Sequence, residues 1–156
     1  MWRKKIVFYN IIFVFAFLAD RLTKWLANTY WNQEGFFVID NFWETKLYQN
    51  YYLSFSIPLR YPISLLITLP VLLLVIYLLL RAYQKKKIIL LSAFSLVTIG
   101  AISNLIDRVR YGYVIDFINW NFGFLGNPSF NIADAYIFLG IVIIIFGYLL
   151  RKKSTG

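Results

Sequence analysis

The chain contains neither cysteine nor histidine. Without cysteine there can be no disulfide, thiol nucleophile or iron–sulfur cluster. Without histidine there is no Ser-His-Asp triad, no HExxH zinc site and no imidazole to act as an acid or base. Acidic residues are also scarce, seven among 156, namely Asp20, Glu34, Asp40, Glu44, Asp107, Asp116 and Asp134. Chemistry therefore rests on these few carboxylates together with Lys, Ser and Tyr.

Apolar residues, by contrast, are abundant. A composition of 60% hydrophobic and 21% aromatic residues exceeds what the surface of a small soluble domain tolerates and points to a membrane. The net charge of +9 could suggest nucleic acid, but a nucleic-acid binder gathers its cations on one face. Here they flank apolar runs, and no nucleic-acid partner is expected. Arg3, Lys4 and Lys5 precede the first run, Arg81, Lys85, Lys86 and Lys87 follow the second, and Arg151, Lys152 and Lys153 follow the last, making ten of the sixteen basic residues.

Four runs are long enough to span a bilayer, which takes roughly 20 helical residues. They predict transmembrane helices over about 6–27, 62–80, 88–108 and 133–150. Pro62 suits a first helical turn, and Pro70 predicts a kink in the second helix. The first run begins like a signal peptide, but no clean cleavage site follows it, so it reads as a retained span. An even number of spans puts both termini and the 81–87 loop on one side, which the clustered cations mark as cytoplasmic. All seven acids then fall on the outer side. Residues 28–60, with partial alternation from Trp43 to Gln49, predict a small extracytoplasmic β-element. Residues 109–132 predict an extracytoplasmic loop, whose stretch 119–129 suits an interfacial flap or a passive loop. The expected fold is therefore a membrane all-α protein with four transmembrane helices, a small β-element and an interfacial loop, forming one integral domain over residues 1–156.

Asp116 and Asp134 stand out because each lies beside an apolar stretch, where an ionised carboxylate is poorly solvated. Asp134 follows Asn131 by three residues at the start of the fourth helix, so it could simply cap that helix. Asp116, within Val114-Ile115-Asp116-Phe117, could be a buried acid paired with Arg108 or Arg110. If the two lie close together they form a dyad that shares a proton, one acting as base towards water and the other as acid towards a carbonyl, as in aspartic proteases. Asp20 and Lys24 are four apart and can pair across a turn. Asn104, Asp107 and Arg108 share a helix face and can form one polar cluster, serving either substrate or structure. Gly100 allows close helix packing.

These residues fall into five ordered motifs: Asp20-Arg21-Leu22-Thr23-Lys24, Asn50 with Phe55, Gly100-Ala101-Ile102-Ser103-Asn104-Leu105-Ile106-Asp107-Arg108, Val114-Ile115-Asp116-Phe117 and Phe130-Asn131-Ile132-Ala133-Asp134. Together they resemble bacterial lipoprotein signal peptidase, signal peptidase II, over nearly the whole chain. The resemblance implies an intramembrane aspartic endopeptidase of the bacterial cytoplasmic membrane. Such an enzyme cuts diacylglyceryl-modified prolipoproteins before the lipidated cysteine, with its active site facing outward. It implies Asp116 and Asp134 as the catalytic pair, Asn50, Asn104, Arg108, Asn131 and Ala133 as substrate-binding, and Asp20, Lys24 and Asp107 as supporting residues. No metal or other cofactor is expected. The implied partners are the prolipoprotein substrate, membrane lipids and an inhibitor of the globomycin type, and a monomer is expected.

The chain departs from the family pattern in three places. Tyr51-Tyr52-Leu53-Ser54-Phe55 stands where small residues are usual before the phenylalanine, Ser103 replaces a usual glycine, and Arg21 stands where glutamine is common. Three rival readings remain: a serine–lysine protease using Lys24 and Ser54, a small proton- or ion-coupled carrier using its intramembrane acids, and a structural membrane scaffold, which leaves the motifs unexplained.

Overall fold

A computed structural model describes residues 2–31, 35–52 and 62–153. Four long helices dominate it: α1 (Trp2–Tyr30), α2 (Ile63–Gln84), α3 (Ile88–Tyr111) and α4 (Ile132–Lys153). Their apolar stretches have mean hydropathies of 1.7, 2.9, 2.0 and 2.3, and most of those residues face outward rather than into the protein. Apolar helices that stay uncovered over 19 to 25 residues are stable only with lipid as the solvent. The chain is thus a multi-pass membrane protein.

The helices overrun the apolar runs at their ends, because backbone hydrogen bonding continues into the amphipathic flanks after hydropathy has fallen. Helix α1 reaches Tyr30, and α3 reaches Tyr111. There Gly112, at φ 79°, takes the left-handed conformation that closes the helix, and its N–H donates to the Arg108 carbonyl. Helix α2 begins after Pro62 and runs without interruption through Pro70.

Four strands form an antiparallel sheet in the order β1-β2-β3-β4, with β1 at Phe36–Ile39, β2 at Trp43–Asn50, β3 at Val114–Trp120 and β4 at Ser129–Phe130. The β-element expected within 28–60 supplies only half of it. Strand β3 comes from the segment expected to be a loop and pairs along β2, with Asn50 opposite Val114 and Tyr48 opposite Asp116. Its first four residues are all buried, so the in–out alternation that marks a strand is missing from its sequence. The stretch 119–129 forms most of the β3–β4 hairpin, with a 3-10 turn at Gly123–Leu125. Ile115 and Phe117 pack with Ala27 of α1 in a small core, where Trp31 meets Phe117 edge-on at 5.4 Å. That core docks the sheet onto the helical bundle.

Helices α3 and α4 pack at close range because glycines face backbone. A Cβ at Gly100 would run into the Ala133 carbonyl oxygen, and one at Gly140 would come within 2.7 Å of the Ala93 carbonyl oxygen. Gly100→Val should therefore push α4 away one residue before Asp134. We expect it to lower stability by about 1–3 kcal/mol, the usual cost of overpacking, measured as an earlier thermal midpoint in detergent and accompanied by reduced activity.

Candidate active site

The acids expected to form a pair come together at the end of the bundle that carries the sheet. Asp116 enters from β3 and Asp134 from the first turn of α4, and Asn131 joins them. Its side-chain Nδ2 donates to Asp116 Oδ1 at 2.6 Å, and its backbone N–H donates to Asp134 Oδ2 at 3.2 Å. Its Oδ1 accepts the Asp134 N–H at 3.0 Å. The reciprocal bonds between residues 131 and 134 make a capping box. Asp134 is therefore the helix-capping acid that its position allows, and the same bonds aim its carboxylate toward Asp116.

Each acid has a further amide donor. Asn50 Nδ2 donates to Asp116 Oδ2 at 2.9 Å, and Asn104 Nδ2 donates to Asp134 Oδ1 at 2.8 Å. Asn50 is fixed in turn by the Tyr52 N–H, which donates to its Oδ1 at 3.0 Å. Asp116 is fully buried. Among the described residues no ion pair within 4.0 Å reaches either acid, so the pairing of Asp116 with Arg108 or Arg110 does not form. Arg108 instead donates to the Tyr52 carbonyl at 3.3 Å and to the Asn104 carbonyl at 3.5 Å, while the Arg110 guanidinium lies over the Tyr111 ring.

Beneath the pair lies an ion cluster. Lys24, fully buried, donates to Asn104 Oδ1 at 2.7 Å and pairs with Asp107 Oδ2 at 2.8 Å and Asp20 Oδ2 at 3.2 Å. Asp20 also accepts the Ala133 N–H at 2.7 Å and the Ser103 hydroxyl at 2.5 Å. A carboxylate on α1 thus caps the N-terminus of α4. With Ser103 Oγ at 3.5 Å as a fourth acceptor, an ammonium so held is a poor general base, which weakens the reading of Lys24 as the base of a serine–lysine pair. Ser54 and Phe55 lie outside the described residues. Ala133 is fully buried and contributes its backbone, its N–H held by Asp20 and its carbonyl oxygen facing Gly100.

Arg21 joins the same cluster, contacting Asp107 and Ser103, and sequence reasoning gave it no part there. A second base three residues before Lys24, in a span that is otherwise mostly apolar, was the available signal. No trio of carboxylates suited to a metal ion occurs among the described residues.

The arrangement defines a multi-pass membrane protein that carries a buried pair of carboxylates at one end of its helices. Residues 12–150 match the family model described as signal peptidase (SPase) II. The chain is 37% identical over 153 residues to the lipoprotein signal peptidase of Francisella tularensis subsp. mediasiatica, covering 94% of each protein. It is 35% identical over 147 residues to that of Acinetobacter baumannii strain SDF, covering 90% of this chain and 82% of the relative. Two solved structures described as bacterial membrane enzymes superpose with TM-scores of 0.82 and 0.76, at 30% and 32% identity. The first match covers 97% of this chain and 93% of that structure, and the second covers 92% and 94%. The chain belongs to the signal peptidase II family of peptidases.

Burial, followed by the nearby charge of Asp134, pushes the Asp116 carboxyl from 3.8 up to about 8, against the opposing pull of Asn50, Asn131 and Lys24. The folded protein then holds a proton that the unfolded chain has released, across the window between those two values. The stabilisation is complete below the lower value and is lost as pH rises through the upper one. We expect the thermal midpoint in detergent to fall as pH rises from about 5 to about 9, and Asp116→Asn to flatten that fall. An equally steep fall in the variant would contradict the assignment.

Proposed function

We propose that the protein is an intramembrane aspartic endopeptidase that removes signal peptides from prolipoproteins, with Asp116 and Asp134 as the catalytic pair. The observation that carries this reading is the pair itself: two acids from different elements, joined through Asn131 and each held by a further asparagine. Two close carboxylates in a dry site resist ionising together and share one proton. With Asp116 holding that proton, Asp134 withdraws a proton from a water as its oxygen attacks the scissile carbonyl. Asp116 protonates the carbonyl oxygen at the same time. The tetrahedral gem-diol collapses when the leaving nitrogen takes the proton from Asp134 and a diol hydroxyl returns one to Asp116 as the new carbonyl forms, so that the pair again carries a single proton.

The four amide donors of Asn50, Asn104 and Asn131 offset part of the cost of charge on the pair while leaving it free of ion-pair partners. Substrate reaches the pair laterally from the bilayer, in keeping with the apolar outer faces of the helices. The ten cations at the opposite end support cytoplasmic termini and an outward-facing site. In this reading the substrate carries a diacylglyceryl group at the cysteine that follows the cut, and the acyl chains lie along helix surfaces. The β3–β4 hairpin sits next to Asp116 and serves as the cover over the bound peptide. A carrier would need titratable groups along a path through the membrane, whereas the described acids lie toward one end of the bundle.

The test is cleavage of a lipidated prolipoprotein by purified protein. Asp116→Asn and Asp134→Asn should each lower the rate by at least roughly 10²–10⁴-fold, the usual worth of a positioned acid or base, while the variants still purify as folded monodisperse protein. Near-normal cleavage by either variant would remove that residue from the reaction.

A further inference from the structure

Four charged side chains lie below the carboxylate pair, and only three of them are needed to connect α1, α3 and α4. Asp20, Lys24 and Asp107 form that connection, but alone they would leave one net negative charge under two acids that must keep a single proton between them. Arg21 supplies the missing positive charge. Its Nη1 donates to Asp107 Oδ1 at 2.5 Å, to Ser103 Oγ at 3.2 Å and to the Ser103 carbonyl at 3.3 Å, and its side chain is only 20% exposed.

Asp107 divides its two oxygens between two cations. With Oδ1 held by Arg21, Oδ2 takes Lys24 at 2.8 Å. Lys24 passes the effect on through Asn104 Oδ1 at 2.7 Å, which leaves Asn104 Nδ2 facing Asp134 at 2.8 Å. A continuous path therefore runs from Arg21 through Asp107, Lys24 and Asn104 to Asp134. Ser103 ties the path sideways, accepting from Arg21 and donating to Asp20, the acid that holds the α4 N-terminus through Ala133.

We propose that Arg21 is a positioning residue of the reaction: it neutralises the Asp20–Lys24–Asp107 cluster, so that Lys24 locks Asn104 onto Asp134 and the pair works at a lower pH than it otherwise would. The inference rests on the assignment of Asp116 and Asp134 as the catalytic pair. The charged groups facing that pair are Asp20 and Lys24 from α1, Asp107 and Arg108 from α3, and the two acids themselves from β3 and α4. Arg21 stands behind this set on Asp107, and removing its positive charge raises the proton affinity of the acids, so both limbs of the pH–rate curve move to higher pH.

The experiment is a pH–rate profile for prolipoprotein cleavage by the full chain and by Arg21→Gln and Arg21→Lys. Glutamine can keep a hydrogen bond to Ser103 but lacks the charge, whereas lysine keeps the charge but loses the guanidinium geometry. We expect Arg21→Gln to move the profile to higher pH by on the order of half a unit, since the charge is part-exposed and partly screened. Its kcat near neutral pH should fall several-fold with little change in KM, and Arg21→Lys should restore the position of the profile. An unmoved profile in Arg21→Gln would overturn the proposal, as would equal shifts in both variants, because a purely packing role depends on shape rather than charge. If Arg21→Gln does not fold, an Arg21→Lys profile shifted as far as half a unit would also overturn it, and an unshifted one supports it. Asp116→Asn assayed alongside keeps the two questions apart: activity in that variant refutes the catalytic pair, whatever Arg21 does.

Discussion

Asn131 holds the structure's polar centre to its helical frame. Its carbonyl side-chain oxygen caps α4, its backbone N–H fixes Asp134, and its side-chain NH₂ holds Asp116. One residue therefore sets where a helix starts and how two acids from different elements are held on either side of it. Because the Oδ1 must accept a backbone N–H, the amide has one workable orientation, and Nδ2 is left to donate to Asp116. Asn104 repeats the arrangement one layer down, accepting from Lys24 and donating to Asp134. Burying this much polarity is tolerable only because nearly every lone pair and proton has a partner.

The membrane imposes the opposite demand on the remainder of the chain. Lipid gives helices little hydrophobic reason to associate, so α3 and α4 depend on close backbone approach at Gly100 and Gly140. That contact sits directly under Ala133, whose N–H is held by Asp20 from α1. Packing and charge thus converge on the first turn of α4, where Asp134 lies. The sheet completes the centre by bringing Asp116 and Asn50 from β3 and β2 to its other side.

The four spans were legible because uncharged runs of that length have few other solutions in so small a chain. The acid pair was legible by elimination, since a chain without His or Cys that places carboxylates beside apolar runs has few reasons to keep them. Strand β3 was not. With Val114, Ile115, Asp116 and Phe117 all buried, its pattern carries no period of two, and its partner β2 lies more than sixty residues earlier. The role of Arg21 was also hidden, because Ser103 and Asp107 are 82 and 86 positions away, and only the fold shows that the two departures from the family pattern at 21 and 103 touch each other. The resemblance carried residue roles that spacing alone left open between capping, pairing and catalysis.

A shared proton on the Asp116–Asp134 pair is the central claim, and infrared spectroscopy of the carboxyl C=O stretch measures it most directly. Spectra of the purified protein in detergent, taken across neutral pH and compared with Asp116→Asn and Asp134→Asn, should contain one protonated-carboxyl band at pH 7. That band should disappear as pH rises through the upper titration of the pair, and substituting either acid should remove or displace it. A spectrum with every carboxyl ionised at pH 7, or a protonated band unchanged in both variants, would contradict the account.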